Sequence, residues 1–265
     1  MPEYALEISD AEIGRYQMMA RNAVADEAAQ LAAAGVVAGA TVADIGCGPA
    51  ALSIEIARLV GPSGWVIGVD SDPAALVAAR ALIRQAGASN VSVRAGEAAE
   101  TGLEPGGADV VMLRHVLAHN GGREQAIVDH LATLIRPGGS VYLADGDGTA
   151  VRILGVGPDL DDMMARYLEF HRRRGSDLTI GLRLAALLES AGLRVISFQG
   201  TYSIVTAPPG MRPPAWAARQ QMLAAGVIDE EVLRRWEAAF SRLDASPARP
   251  TLFAPLFTAI AQRAT

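Results

Sequence analysis

RHVLAH, Arg114 to His119, sets two histidines four residues apart. A histidine near its ordinary pKa can take a proton from a phenol or hydroxyl at neutral pH. On a helix that spacing would put His115 and His119 on one face, as a base or a pair of bases. The same pair could ligate a metal, but no HExxH glutamate accompanies it and the expectation is no metal; each ring also has an ordinary structural reading. A second reactive stretch is TVADIGCGPAA, Thr41 to Ala51. Gly46 and Gly48 permit positive φ and let bare backbone approach a ligand, and a following helix would present free N–H groups. A third is EFHRRRGSD, Glu169 to Asp177. Its arginines could grip a carboxylate or diphosphate by forked hydrogen bonds, or could be solvated cations at a helix C-terminus. His171 and Arg173 are the candidates there for contact with a substrate. Cys47 reads as a small turn residue, with no neighbour that would activate it as a nucleophile.

Positioning these groups falls to a regular alternation of elements. Asp10 to about Ala34 reads as one amphipathic helix, with Ile13, Tyr16, Met19 and Ala23 near one stripe. The strands expected next are TVADI, WVIGVD, VSVRA, ADVVMLR and SVYLAD, separated by helices at Ala50 to Val60, Pro73 to Ala86 and Gly122 to Ile135. Pro73 sits just inside its helix behind Asp72, a candidate N-cap. This alternation indicates βαβ units, a parallel sheet and helices on both faces. After SVYLAD come helices near Leu160 to Arg174 and Ile180 to Ala191, then a long strand, RVISFQGTYSIVT. A helical excursion from Pro208 to Pro250 and a closing strand, TLFAPLFTAIAQR, complete the chain. The expected division is a cap helix at 1–35 and an α/β domain at 36–265, with cap insertions at about 146–178 and 207–250.

In an open α/β sheet, ligands bind beyond the carboxyl ends of the strands near the switch in strand order. Gly46-x-Gly48-x-x-Ala51 formally matches a dinucleotide fingerprint, so a nicotinamide or flavin enzyme is one reading. Asp44 sits two residues before Gly46, where an acid would face a pyrophosphate but suits a cationic ligand. Asp70, ending WVIGVD, can accept from both ribose hydroxyls in either case. AGEAAETGL adds a polar group where an adenine edge would lie.

In order and spacing, ADIGCGPA, VIGVDSDP, AGEA, DVVMLRHVLAH and LIRPGGSVYLAD resemble the successive motifs of class I S-adenosylmethionine-dependent methyltransferases, over roughly Val42 to Asp145. The resemblance is to the ubiquinone/menaquinone-methyltransferase-like, small-molecule branch. It implies a Rossmann-like sheet of seven strands, the last antiparallel, with a helical N-terminal cap and helical insertions. It implies S-adenosylmethionine as cofactor. Gly46 and Gly48 would pass beneath the methionine moiety, Asp44 would orient its amino end, and Asp70 would hold the ribose with Ser71 beside the adenine. Glu97 would accept from the adenine amino group, with the Ala98 N–H opposite. Leu113 and Arg114 would border the sulfonium, and Tyr16 and Met19 would close over the cofactor. The implied activity is methyl transfer to a small acceptor such as a natural product, a quinone-like compound or a prenyl diphosphate. An NAD-dependent oxidoreductase and a non-catalytic cofactor-binding module on the same fold are the alternatives.

Composition narrows the classes further. A net charge of −6 argues against a general nucleic-acid binder. No apolar run is long enough for a membrane span, and the acidic start, MPEYALEISDAE, lacks the form of a signal peptide; a cytoplasmic location is expected. One cysteine excludes an intrachain disulfide and a Cys-rich zinc site. All 23 basic residues are arginine, which rules out lysine Schiff-base chemistry and a P-loop lysine. Arginine and alanine usage of this kind accompanies GC-rich coding sequence and makes secondary metabolism a plausible setting.

Overall fold

The structure of the protein is a computed structural model that describes residues 10–264. The first nine residues of the expected cap lie outside the described residues. The chain begins with α1 (Asp10–Asp26) and α2 (Ala28–Ala33), followed by β1 (Thr41–Ile45), α3 (Ala51–Val60), β2 (Trp65–Asp70), α4 (Pro73–Ala86) and β3 (Val91–Ala95). Next come β4 (Ala108–Arg114), α5 (Glu124–Leu134), β5 (Ile135–Gly146), the short β6 (Arg152–Leu154), α6 (Pro158–Arg173) and α7 (Leu184–Ser190). The last section contains β7 (Arg194–Thr206), α8 (Pro214–Ala217), α9 (Arg219–Ala224), α10 (Glu230–Ala245) and β8 (Thr251–Gln262).

One sheet of eight strands runs β3-β2-β1-β4-β5-β8-β6, with β7 paired to β8. The pairings from β3 across to β5 are parallel, whereas β8 runs antiparallel to β5, β6 and β7. Seven of these strands are the ones expected; β6 is an addition that extends the β8 edge beyond β5. Because side chains alternate along a strand, the sheet has two separate cores. Val42, Val110, Met112 and Tyr142 pack with Leu31, Ile56 and Val60 from α2 and α3. Ile45, Val111, Leu113 and Leu143 face Ile127 and Leu131 of α5 and Leu184 and Leu188 of α7. A third cluster joins Leu160, Met163 and Phe170 of α6 to Met222, Trp236 and Phe240 of α9 and α10. The two insertions therefore share one apolar core.

Local chemistry accounts for most boundaries. Asp72 caps α4 by accepting from the Ala74 N–H at 2.8 Å, with Pro73 in the first turn. Acidic Asp159 and Asp161 begin α6 and basic His171, Arg172 and Arg173 end it, complementing its dipole. Two expectations change. The single helix over Asp10 to Ala34 breaks at Glu27, whose buried carboxylate reaches the sheet. The helix expected from Ile180 begins as a 3-10 turn, because Asp177 first closes a turn by accepting from the Thr179 N–H at 2.9 Å. Among the described residues no helix is long and apolar enough to cross a membrane.

Candidate active site

Sheet order reverses between β1 and β4, so the crevice of this fold lies where Asp44 and Gly46 face Arg114 and His115. On the β1 side, Gly46 and Gly48 adopt φ of 72° and 54°. Their requirements differ. A Cβ on Gly46 would sit 2.3 Å from Val116 Cγ2, whereas one on Gly48 would meet nothing within 4 Å. Gly46 is thus held by packing against the loop after β4, while Gly48 presents bare backbone to open space. The Gly48 N–H donates to Asp70 Oδ2 at 2.7 Å, and the Asp72 N–H donates to Asp70 Oδ1 at 2.9 Å. Both oxygens of Asp70 are fixed, and the carboxylate stays partly exposed for further donors.

Asp44 is only 3% exposed, and its Oδ2 accepts from the Ser53 hydroxyl of α3 at 2.6 Å. Burial pushes its pKa up to about 6 and Asp70 adds to the rise, while the Ser53 hydroxyl and the Arg114 charge oppose it. A buried carboxylate carrying this penalty is an anion short of a counter-charge, and a bound ammonium would supply one. Next to it, Cys47 is buried and its thiol is pushed far up by burial and by the charges of Asp44 and Asp70. The sulfur is an inert packing group there.

Ser71 is exposed beside Asp70. Glu97 follows β3 as expected, but its Oε2 accepts from Arg123 at 2.9 Å; Ala98 beside it is partly buried. Leu113 is fully buried in the α5/α7 core, so only its main chain borders the crevice. Arg114 points to the opposite face, where its guanidinium pairs with Glu27 at the α1–α2 junction. Tyr142 also donates to Glu27. Tyr16 packs among Ala51, Ile54 and Leu82, and Met19 is 37% exposed with its sulfur accepting from Arg15 at 2.9 Å.

After β4 the chain forms no α-helix over RHVLAH. His115 takes a left-handed φ of 56°, unusual for a residue with a Cβ, and Leu117–His119 form a 3-10 turn. The two histidines nonetheless converge around Asp145, the buried C-terminal carboxylate of β5. His115 Nδ1 lies 3.9 Å from Asp145 Oδ1, and Asp145 Oδ2 accepts from the Ala118 N–H at 3.2 Å. His119 is exposed by surface area, yet the protein around it lowers its pKa through desolvation, against the pull of Asp145.

From α6, His171 brings its ring to 5.2 Å from that of His119, with Tyr167 edge-on to it at 4.5 Å. His171 is buried, and its Nδ1 has no hydrogen-bond partner among the described residues. Burial, reinforced by His119 and Arg174, lowers its pKa to about 4. The neighbouring arginines do not join this group. Arg172 and Arg173 face solvent and both bond Glu169, while Arg174 lies over the Phe170 ring at 5.1 Å. Asp162 pairs with Arg166 and Arg235. Among the described residues no group of three or more His, Cys, Asp or Glu side chains is arranged for a metal ion.

A parallel sheet switching order at β1/β4, an antiparallel last strand and a glycine turn backed by two strand-end acids are the features of a Rossmann-like methyltransferase fold. The family described as methyltransferase domain matches residues 37–168. A ubiquinone biosynthesis O-methyltransferase of Xanthomonas euvesicatoria is 30% identical over 62% of this chain and 66% of its own length. An arsenite methyltransferase of Halobacterium salinarum is 33% identical over 44% of this chain and 30% of its own. The chain thus spans less than two thirds of either relative. A SAM-dependent methyltransferase structure from Aquifex aeolicus shares the fold at a TM-score of 0.55 and 19% identity, covering 72% of this chain and 92% of that one. Over residues 37–168 the chain is thus similar to methyltransferase domains, and it shares the fold of a SAM-dependent methyltransferase. The dinucleotide reading of the glycine turn is not favoured.

Proposed function

We propose that this chain transfers a methyl group from S-adenosylmethionine to a small-molecule acceptor held between the end of β4 and α6. The observation that carries the proposal is the pairing of open space over Gly48 with the under-compensated buried carboxylate of Asp44. A cationic amino-acid moiety fits that combination, and a pyrophosphate does not. The bound cofactor supplies an electrophilic methyl carbon and a neutral thioether leaving group. Asp44 then receives the ammonium, Gly46 and Gly48 give the methionine chain room, and Asp70 accepts from the ribose hydroxyls beside Ser71. Glu97 and Ala98 border the adenine, with Glu97 sharing its carboxylate with Arg123. The main chain of Leu113 and Arg114 closes the far side.

The chain's remaining work is alignment and proton removal. His119 and His115 stand near Asp145, whose charge favours the protonated form of His119 once a proton is taken. His171 lines the acceptor side with an unused ring nitrogen. Under this proposal the α6 and α8–α10 cluster, which shares one apolar core, covers the acceptor and limits its size. In this reading Arg173 is a surface residue, committed to Glu169, so that a diphosphate-bearing acceptor loses its main attraction.

Calorimetric titration with S-adenosylhomocysteine, with NAD as the comparison ligand, tests the proposal. Binding of the adenosyl ligand alone is expected. Binding of NAD alone, or of neither, overturns it.

A further inference from the structure

Arg114 places a permanent cation at the end of β4, on the sheet face that also carries Asp44 and Asp70. Its neighbour across the crevice is Asp44, whose ionisation the Arg114 charge already influences. Yet the guanidinium bonds elsewhere. Its Nε donates to Glu27 Oε2 at 3.3 Å and a terminal nitrogen donates to Glu27 Oε1, while the Tyr142 hydroxyl donates to the same carboxylate. Glu27 is 5% exposed, although it interrupts two helices and comes from 87 residues earlier in the chain. A buried ion pair of this kind is weak evidence of added stability, because desolvation offsets the attraction. Its placement has a more specific consequence.

We propose that Glu27 neutralises Arg114 so that the crevice tolerates the positive sulfonium, making the α1–α2 junction a determinant of preference for S-adenosylmethionine over its demethylated product. The inference rests on the cofactor reading above. The two ligands share the adenosine, carboxylate and ammonium; they differ by one methyl group and one positive charge at sulfur. An uncompensated Arg114 would repel only the charged one and would be free to turn toward Asp44, occupying the partner meant for the ammonium. Glu27 prevents both by holding the guanidinium with a forked pair of bonds, and the Tyr142 hydroxyl of β5 donates to the same carboxylate.

The test is calorimetric measurement of Kd for S-adenosylmethionine and S-adenosylhomocysteine on the full chain at constant ionic strength, with circular dichroism as the check on folding. For two unit charges within the crevice at an intermediate effective dielectric, Glu27→Gln should weaken the sulfonium ligand about tenfold more than the neutral one. Arg114→Gln should move the ratio in the opposite direction, and the double variant Glu27→Gln/Arg114→Gln should return it to the wild-type value. Tyr142→Phe, which removes a hydroxyl without changing charge, should leave the ratio unaltered. A role confined to holding the cap would weaken both ligands equally, and equal factors in Glu27→Gln and Arg114→Gln overturn the inference. If Glu27→Gln does not fold, the sign of the Arg114→Gln shift decides alone. Failure of the wild-type chain to bind either ligand refutes the cofactor reading itself, a distinct outcome.

Discussion

Asp44→Asn should make the ligand-free protein more stable while abolishing its use of the cofactor. Asp44 is 3% exposed and its pKa rises from 3.8 to about 6 on folding, chiefly because burial penalises the charged form. Below the unfolded value both states are protonated, so the stability associated with a neutral Asp44 is fully present. That contribution is lost as pH rises through the folded value, and above pH ~6 the fold carries the whole cost of a buried anion. A shift of about two units corresponds to roughly 3 kcal/mol. Asparagine removes this cost and keeps an oxygen for the Ser53 hydroxyl, but its buried amide donors gain no assured acceptor, a penalty of about 1–3 kcal/mol. The expected net gain at pH 8 is about 0–2 kcal/mol, or a rise in Tm of up to several degrees for a chain of this size, at roughly 2–4 °C per kcal/mol.

Denaturant unfolding at pH 8 and pH 4.5 measures the effect, with the m-value checked for constancy. The advantage of the variant should shrink by more than half at the lower pH, where the wild-type carboxyl is protonated. Calorimetry should show S-adenosylhomocysteine binding weakened by at least an order of magnitude, the result expected when an ammonium loses its charged partner. A variant less stable than wild type at pH 8, or an advantage independent of pH, would refute the claim that Asp44 is held at the expense of the empty fold.

The two glycines of the turn should separate by assay. Gly46→Ala drives a Cβ to 2.3 Å from Val116 Cγ2 and should lower thermal stability markedly, whereas Gly48→Ala meets open space and should cost about 1–2 kcal/mol in left-handed strain but remove cofactor binding. Scanning calorimetry and ligand titration on the same preparations check both. His119→Gln should reduce turnover with little change in S-adenosylhomocysteine affinity. Because desolvation lowers the His119 pKa, the acid limb of the wild-type pH–rate profile should lie below pH 6.5; a limb above 6.5 would assign the base to another group.

What could be read from the sequence was what lies close together along it. Asp44, Gly46 and Gly48 occupy one turn, and Asp70 closes the next strand, so alternation and spacing were enough to place them at one crevice edge. The contacts that spacing could not reveal join distant segments. Glu27 and Arg114 are 87 residues apart, and Tyr142 reaches Glu27 across 115. In the sequence Glu27 was one more polar position in an alanine-rich helix, and only the break between α1 and α2 exposes what its burial serves. Arg114 was expected at the crevice, but a strand's alternation says which face a side chain takes and nothing about the anion waiting there.

The stretch EFHRRRGSD shows the same limit from the other side. Periodicity groups His171 with neither face until α9 and α10 fix which side of α6 is apolar. That packing buries His171, brings it to His119, and leaves Arg172 and Arg173 outward on Glu169. Three adjacent arginines look like an anion grip only while their carboxylate partner at i−3 and i−4 is overlooked, and Glu169 stands at both spacings. The four-residue spacing of the histidine pair gives a shared face only on a helix, whereas a left-handed residue and a 3-10 turn bring the pair near Asp145. Helical spacing is therefore the wrong guide where a strand ends at a ligand crevice. There the backbone is set by what the strand-end acids hold, and the side chains converge through tertiary contacts that no local period records.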